Sequence, residues 1–294
     1  ASGYQQSRSG QYHKTSSANL ALGASYNFMQ KYYADLGLAV IHSAQLAPGH
    51  REALSPSLTL GWRLKNESFL KDVDAVDNML LSVSGSIINE DIDLARGDVR
   101  YYLYKGFWTS DNGYGWYDGS NDKYTYSKRG ENEDLGFIKR KELSLSFKTS
   151  LWKHFVTLDA NFFINSMEGY LIDSPTFFPS HLNTSYPQGS FMPVLNYNND
   201  RRVGFDFALN FNRKFGETDL SLGLTGTYYN TKATKVDENN VEAYQNRQGK
   251  AIDGIWGYKS AGFFQSEAEI TASPDQSSLG STVRPGDIKY VDVN

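Results

Sequence analysis

Strict alternation of apolar and polar residues is the dominant pattern along this chain, and it predicts β-strands. In the clearest example, Val203, Phe205 and Phe207 alternate with polar or small residues, and a second alternating run ends near Tyr228. Only a short connection around Gly216 separates the two runs. The segment 203–230 is therefore predicted to be a β-hairpin with two long strands.

The predicted strands are longer than those of ordinary soluble domains. Soluble strands average about five or six residues, whereas a tilted strand needs about 9–11 residues to cross the hydrocarbon of a membrane. Further alternating segments predict hairpins over about 18–42 and 140–165 and single strands over about 57–64 and 80–88. Their polar faces are rich in Gly, Ser, Thr, Asn and Asp, which suit a water-filled lumen better than a packed core.

Connections of very unequal length alternate along the chain. The turns near 29–31, 152–154 and 216–217 are short, whereas the polar segments 89–139 and 173–200 are long. Long structureless loops are uncommon inside a compact soluble domain, but outer-membrane barrels have short turns at one end and long loops at the other. The predicted fold is therefore all-β, an antiparallel transmembrane β-barrel segment with long extracellular loops.

Composition narrows the classes of function. The net charge of −4 provides no basic excess for binding nucleic acid. Aromatic residues make up 14% of the chain, which suits strands with one face in an apolar medium and the other in water. There is no cysteine, so disulfides and thiolate metal sites are excluded. No apolar run approaches the roughly 18 residues of a membrane helix.

Catalytic and metal sites find little support in the sequence. The five histidines have no ligand spacing, and no nucleophile-elbow, zinc-protease or phosphate-loop pattern occurs. Calcium is the one metal with any basis, because three segments begin like calcium loops, but each is more typical of a polar turn. These segments are 111–113, 118–122 and 292–294. The sequence therefore predicts a protein that is not an enzyme, with no catalytic residue, metal site or cofactor.

The best candidate binding residues are aromatic side chains in the long segment 89–139. Aromatic rings stack on sugars or grip peptide side chains, and neighbouring Asp and Asn groups hydrogen-bond hydroxyls or amides. Packing of the loop on itself, or an interface with a capping protein, would use the same residues, and the sequence leaves these alternatives open. The candidate substrate-binding residues are Trp108, Tyr114, Trp116, Tyr117 and Tyr124, with Tyr126 on the same loop.

A second group of aromatic residues falls at the ends of predicted strands. In membrane barrels such residues form girdles at the two interfaces between lipid and water. The residues assigned to a girdle are Tyr32, Tyr33, Trp152, Tyr228 and Tyr229.

Several motifs, in order along the chain, resemble those of the SusC/RagA family of TonB-dependent outer-membrane transporters. Residues 55–64 read SPSLTLGWRL, similar to the family's FPS-x-S-x-GWR strand, and residues 77–85 read DNMLLSVSG, similar to LKLRASYG. Residues 202–206, RVGFD, resemble the strand start RNRGFE. Near the end, residues 255–266 read IWGYKSAGFFQS, similar to FYGYKTDGIFQS, and residues 285–294 read PGDIKYVDVN, similar to PGDIKYKDVNGDG. Ser55 and Ala261 stand where Phe and Asp are common in the family.

This resemblance implies a wall segment of a barrel of roughly 22 strands that is closed inside by a plug domain. Residues 1–294 would form part of the barrel domain, with the plug, the TonB box and the C-terminal strands expected outside this sequence. The family imports oligosaccharides or peptides actively across the outer membrane, driven by the TonB complex. Expected partners are a SusD-like lipoprotein lid, the TonB complex through the absent segments, the bilayer with its lipopolysaccharide, and the substrate.

Two other classes of function remain open at this point. A passive porin, or a structural barrel in a surface assembly, would show the same strand pattern without a plug or TonB box. A soluble carbohydrate-binding β-protein would show long alternating strands as well. Extraction distinguishes the last case, because a soluble protein stays in the aqueous phase without detergent.

Overall fold

The computed structural model describes residues 16–91, 94, 102–111, 124–173, 175–185, 188–280 and 282–291. The chain divides into two compact units, Ala1–Ile252 and Asp253–Asn294. The strands of the first unit, in chain order, are β1 (Ser17–Phe28), β2 (Tyr32–Ser43), β3 (Glu52–Arg63), β4 (Val76–Glu90), β5 (Phe107–Asp111), β6 (Tyr124–Arg129), β7 (Ile138–Leu151), β8 (Val156–Ile172), β9 (Asn183–Ser185), β10 (Gln188–Ser190), β11 (Leu195–Phe215) and β12 (Thr218–Lys235).

Eight of these strands form one sheet in the order β1-β2-β3-β4-β7-β8-β11-β12. All neighbours in it are antiparallel. The strands of this sheet have between 12 and 21 residues, enough for a tilted strand to cross hydrocarbon. Within the described part of the chain, no helix combines the length and the hydropathy needed to cross a membrane. The predicted antiparallel all-β fold and its long hairpins are confirmed.

One face of the sheet is apolar because the strand register aligns the apolar positions of all eight strands. Near the middle of the sheet, one row of successive cross-strand partners consists of Tyr26, Ala34, Leu60, Val83, Leu145, Phe162, Phe205 and Tyr228. These side chains are not a packed core, since Phe205 is 47% exposed and Tyr228 57% exposed. Apolar area left in water forfeits about 25 cal/mol per Å² of stabilisation. A row of this length therefore requires an apolar medium beside it.

The opposite face is polar along the adjacent row. That row of cross-strand partners is Asn27, Tyr33, Gly61, Ser82, Ser146, Asn161, Asp206 and Thr227. Its side chains bond to one another: Ser146 Oγ donates to Asn161 Oδ1 at 2.8 Å, and Asn161 Nδ2 donates to Asp206 Oδ2 at 3.2 Å. One apolar and one polar face are what a barrel wall needs between lipid and lumen.

The register corrects part of the predicted aromatic girdle. Successive residues of a strand point to opposite faces of the sheet. Tyr32 lies on the apolar face, in a row with Phe28 and Trp62, but Tyr33 lies in the polar row. In the same way Tyr228 is on the apolar face and Tyr229 is not. The assignment of Tyr33 and Tyr229 to a lipid-facing girdle was wrong, because it used only their position near a strand end.

Connections at one end of the sheet are short and tightly turned. The β1–β2 turn places Met29 and Gln30 in the left-handed region, each with φ of 53°. Trp152, Lys153 and His154 are also left-handed, in the β7–β8 turn, and Gly216 in the β11–β12 turn has φ of 61°. The connections at the opposite end include those from β4 to β7 and from β8 to β11, which carry the hairpins β5–β6 and β9–β10. The predicted contrast between short turns and long loops is confirmed.

The second unit contains the two motifs that most strongly resemble SusC/RagA proteins. Strand β13 (Ser260–Phe263) lies in the motif at 255–266 and pairs antiparallel with β14 (Ile288–Tyr290) from the motif at 285–294. Helix α1 (Glu267–Ala272) begins after Ser266, whose Oγ accepts the Glu269 N–H at 3.2 Å. Lys289 on β14 pairs with Glu269 at 3.1 Å. The two motifs are therefore partners in one small folded unit.

Candidate functional site

The long connections of the first unit share one small apolar core, which we call the loop platform. Leu46 comes from the β2–β3 connection, Leu135 from the β4–β7 connection and Val194 from the β8–β11 connection, and all three are almost completely buried. The other buried members of this cluster are Ala47, Leu94, Leu103, Tyr104, Phe137 and Leu171. Because three connections bury side chains against each other, the long loops form a cohesive surface at this end of the sheet.

Two asparagines stabilise the platform: Asn132 joins two of its loops, and Asn196 links it to the sheet. Asn132 Nδ2 donates to the carbonyl of Val194 at 2.7 Å, and the Asn132 N–H donates to the carbonyl of Tyr104 at 2.8 Å. Asn196 Nδ2 donates to the carbonyls of Gly136 at 3.0 Å and Gly169 at 2.9 Å. Asn196 Oδ1 also accepts the Gly136 N–H at 2.8 Å. These side chains satisfy backbone groups that the loops would otherwise leave unpaired.

A glycine lets the two long connections approach closely. The Gly130 N–H, just after β6, donates to the carbonyl of Met192 at 3.0 Å. A Cβ atom at Gly130 would collide with the backbone carbonyl of Phe191. The hairpin β5–β6 is therefore held against the segment after β10, and only glycine fits at the point of contact.

An exposed aromatic pair stands on this platform. The rings of Trp108 on β5 and Phe191 are 5.8 Å apart in an edge-to-face arrangement. Trp108 is 56% exposed and Phe191 52% exposed. Among the predicted binding residues, Trp108 is thus placed on the accessible surface of the platform. Phe191, which the sequence analysis did not single out, is its neighbour.

The remaining predicted binding residues cannot be placed in this way. Tyr114, Trp116 and Tyr117 lie outside the described residues, and Tyr124 begins β6 but its side chain also lies outside them. Tyr126 on β6 lies near Lys128, whose Nζ is 6.0 Å from the centre of the Tyr126 ring. The assignment of these residues to substrate binding therefore stays a prediction.

The platform also contains a buried cation. Arg129, at the end of β6, donates through Nε to the carbonyl of Lys105 at 3.2 Å and through Nη2 to the carbonyl of Tyr102 at 3.0 Å. Burial lowers the pKa of the guanidinium from its ordinary value, and the charge of Asp173 opposes that shift. Through these two hydrogen bonds, Arg129 links β6 to the segment before β5.

At the short-turn end, a single carboxylate collects three donors. Glu67 accepts hydrogen bonds from Lys31 Nζ at 2.9 Å, Tyr32 OH at 2.9 Å and Trp62 Nε1 at 3.1 Å. The hydrogen bond from Lys31, followed by those from Trp62 and Tyr32, holds the pKa of Glu67 below its usual range. The carboxylate thereby ties the β3–β4 connection to the β1–β2 turn, to β2 and to β3.

A serine, a histidine and an aspartate also meet at the short-turn end, but their geometry is not that of a catalytic triad. Ser150 Oγ lies 2.6 Å from His154 Nδ1. Asp77 Oδ2, however, accepts the backbone N–H of His154 at 2.8 Å and contacts Ser150 Oγ at 3.4 Å. In a triad the carboxylate would orient the second ring nitrogen. This cluster instead supports the left-handed turn at 152–154.

No group of three or more His, Asp or Glu side chains that could hold a metal ion occurs among the residues that the structure describes. Of the three calcium-like segments, residues 112–113, 118–122 and 292–294 lie outside those residues. The predicted absence of a metal or cofactor therefore stays a prediction.

Comparison with known proteins supports the resemblance seen in the sequence. No protein-family model matches the chain. TonB-dependent receptor P39 of Formosa agariphila is 20% identical over 273 residues, covering 90% of this chain and 24% of that protein. The structure of the RagAB peptide importer in its closed-closed state matches with a TM-score of 0.66 and 14% identity, over 85% of this chain and 26% of that one. The open-open state matches with the same TM-score and 15% identity, over 94% of this chain and 29% of that one.

These comparisons confirm the predicted fold class and the resemblance to SusC/RagA-type TonB-dependent transporters, and they bear out the expected outer-membrane location. The chain spans about a quarter of the length of the relatives that it matches. At these identities, the solved structures establish a shared fold alone.

Proposed function

We propose that this chain is the wall and loop region of a TonB-dependent outer-membrane importer that takes up peptides or oligosaccharides with a SusD-like lipoprotein as lid. The observation that carries the proposal is the match to the RagAB importer over 85–94% of the chain. The division of the sheet into an apolar and a polar face supports it, since a transporter wall separates lipid from a wet interior. Within that importer, this chain would form part of the conduit wall, provide the loop surface and contact the substrate.

Within this function, the exposed pair of Trp108 and Phe191 is proposed as a contact for substrate or lid. The pair stands on a platform fixed by buried side chains and by the Gly130–Met192 hydrogen bond. Aromatic rings held rigidly lose little conformational entropy on binding. The solved relative, RagAB, is a peptide importer, so a peptide is the first substrate to test.

Uptake by whole cells tests the proposal. Cells producing the full-length protein should accumulate labelled oligopeptides, and an uncoupler of the inner-membrane proton gradient should abolish that accumulation. The Trp108→Ala/Phe191→Ala variant should reduce uptake at least severalfold. Phe69→Ala is the matched control, because Phe69 is a similarly exposed aromatic in the β3–β4 connection at the other end of the sheet.

Each alternative gives a different result in this assay. Uptake that persists with the uncoupler would indicate a passive porin. Competition by oligosaccharides but not by peptides would assign the glycan class instead. Purification in mild detergent tests the lid: a lipoprotein should co-purify, and repeated isolation of the protein alone would contradict that partnership.

A further inference from the structure

On the apolar face, the row of residues nearest the long-loop end contains three cations. The successive cross-strand partners in this row are Ile87, Lys141, Ser166, Arg201 and Lys232. The neighbouring row toward the middle of the sheet is Leu143, Ile164, Val203 and Asn230. Lys141 on β7 and Arg201 on β11 therefore follow directly on apolar positions of the same face, and Lys232 on β12 is the cross-strand partner of Arg201.

Two of these cations face each other with no protein anion between them. Arg201 and Lys232 are direct cross-strand partners, an arrangement of like charges that destabilises a sheet. Lys141 has a carboxylate partner, since its Nζ lies 2.6 Å from Glu168 Oε2. Arg201 and Lys232 are exposed and form no ion pair within the described ranges of the chain. An external anion would remove their mutual repulsion.

The length of β11 places this row at a boundary of the membrane. Arg201 and Arg213 lie on the same face of β11 and bracket the apolar positions from Val203 to Phe211. Twelve residues of strand rise roughly 40 Å, and a tilt of about 45° projects that to roughly 28 Å. The apolar band of an outer-membrane barrel is about 25 Å tall. One arginine therefore stands at each edge of the band.

The two edges differ in what surrounds the arginine. At the short-turn end, the Arg213 guanidinium lies 5.7 Å from the Phe155 ring and 5.4 Å from the Phe215 ring. At the long-loop end, Arg201 is the cross-strand partner of Lys232 and has no such aromatic contact among the described residues. Cation–π contacts satisfy Arg213 within the protein. Arg201 and Lys232 at the other edge would instead be stabilised by a negatively charged partner.

We propose that Arg201 and Lys232 bind the phosphate of a phosphorylated lipid of the outer leaflet, such as the lipid A part of lipopolysaccharide. The guanidinium offers a planar fork of donors to phosphate oxygens, and the ammonium adds a point charge. The acyl chains of the same lipid would cover the apolar rows around Val203. Lys141, two strands from Arg201 and hence roughly 10 Å away, is within reach of a second phosphate. The inference rests on the proposed function only for the outer-membrane location.

Binding of defined lipids to the full-length protein in detergent tests this site. The probes are lipid A with its phosphates, enzymatically dephosphorylated lipid A, and inorganic phosphate alone, with binding followed by native mass spectrometry. A basic residue near an anionic lipid surface contributes roughly a fivefold factor in affinity. The Arg201→Gln/Lys232→Gln variant should therefore lose about thirtyfold in affinity for phosphorylated lipid A.

The matched control is Arg202→Gln, which removes a neighbouring cation from the opposite face, where Arg202 lies 3.9 Å from Asp200. It should bind lipid A like the wild type. Arg201→Lys keeps the charge and should retain most of the affinity for lipid A. It provides a second affinity measurement if the double variant fails to insert into the membrane.

Three outcomes would overturn the proposal. These are unchanged lipid A affinity in the double variant, equal affinity of the wild type for the dephosphorylated lipid, and equally tight binding of inorganic phosphate. A wild type that binds phosphorylated lipid A but imports nothing would refute the transport function and leave this site standing. A wild type that imports substrate but does not bind phosphorylated lipid A would refute this site alone.

Discussion

Removing the Asn196 side chain should loosen the loop platform without unfolding the sheet. In Asn196→Ala, three hydrogen bonds of 2.8–3.0 Å to the backbone of Gly136 and Gly169 are lost. Each net hydrogen bond contributes about 1 kcal/mol, and an orphaned buried group costs about 1–3 kcal/mol. Water reaches part of this half-buried site, so we expect a loss of about 2–3 kcal/mol in the local free energy of opening.

Hydrogen exchange measured by mass spectrometry reads this loss directly. Amide exchange around residues 135–137 and 169 should accelerate roughly 30–150-fold, because each 1.4 kcal/mol is a factor of ten, while exchange in β1–β3 should not change. Asn240→Ala is the control, since among the described residues the Asn240 side chain bonds only to Asn246, in an exposed loop. Acceleration of less than about threefold would refute the view that Asn196 fastens the platform.

Three further predictions concern other points of the fold. Gly130→Ala should destabilise the platform by roughly 1–3 kcal/mol, because the added methyl group would meet the Phe191 carbonyl. Limited proteolysis of the loops measures this loss. Gly136→Ala is the control and should leave the proteolysis rate unchanged, because its methyl group has open space. Gln30→Gly should raise the unfolding midpoint in urea by the equivalent of up to about 1 kcal/mol, because φ of 53° is strained for glutamine; an unchanged or lower midpoint would contradict this strain. The lowered pKa of Glu67 stabilises the folded state above the ordinary glutamate pKa, and this contribution is lost as pH falls through the lowered value. Unfolding midpoints measured against pH should therefore lose part of their acid dependence in Glu67→Gln, and identical pH profiles would contradict the role of the carboxylate.

The strands were predictable because their signal is local. A period of two depends only on neighbours in sequence, so the runs around Val203 and Leu143 indicated strands without knowledge of their partners. The contrast between short turns and long loops was likewise visible as segment lengths. Face assignment near strand ends was not predictable in the same way, as Tyr33 and Tyr229 show, because it depends on register as well as position.

The platform could not be predicted because its contacts join residues far apart in sequence. Asn132 bonds to the Val194 carbonyl across 62 positions, and Asn196 bonds to Gly136 across 60. A lone asparagine in a polar loop carries no signal that distinguishes such a bond from solvent exposure. Phe191 was missed for the same reason, since its pairing with Trp108 exists only once β6 and the segment after β10 lie together.

The described aromatic residues of the platform include a buried pair and an exposed pair. Packing of the loops on themselves requires buried rings, and Tyr104 and Phe137, at 5% and 8% exposure, fill that role. Trp108 and Phe191 are more than half exposed, whereas the residues of the loop core are buried. Large exposed rings on a fixed support lose apolar stabilisation that only a partner or ligand restores. Self-packing therefore accounts for the first pair of rings, and contact with substrate or lid is the role proposed for the second.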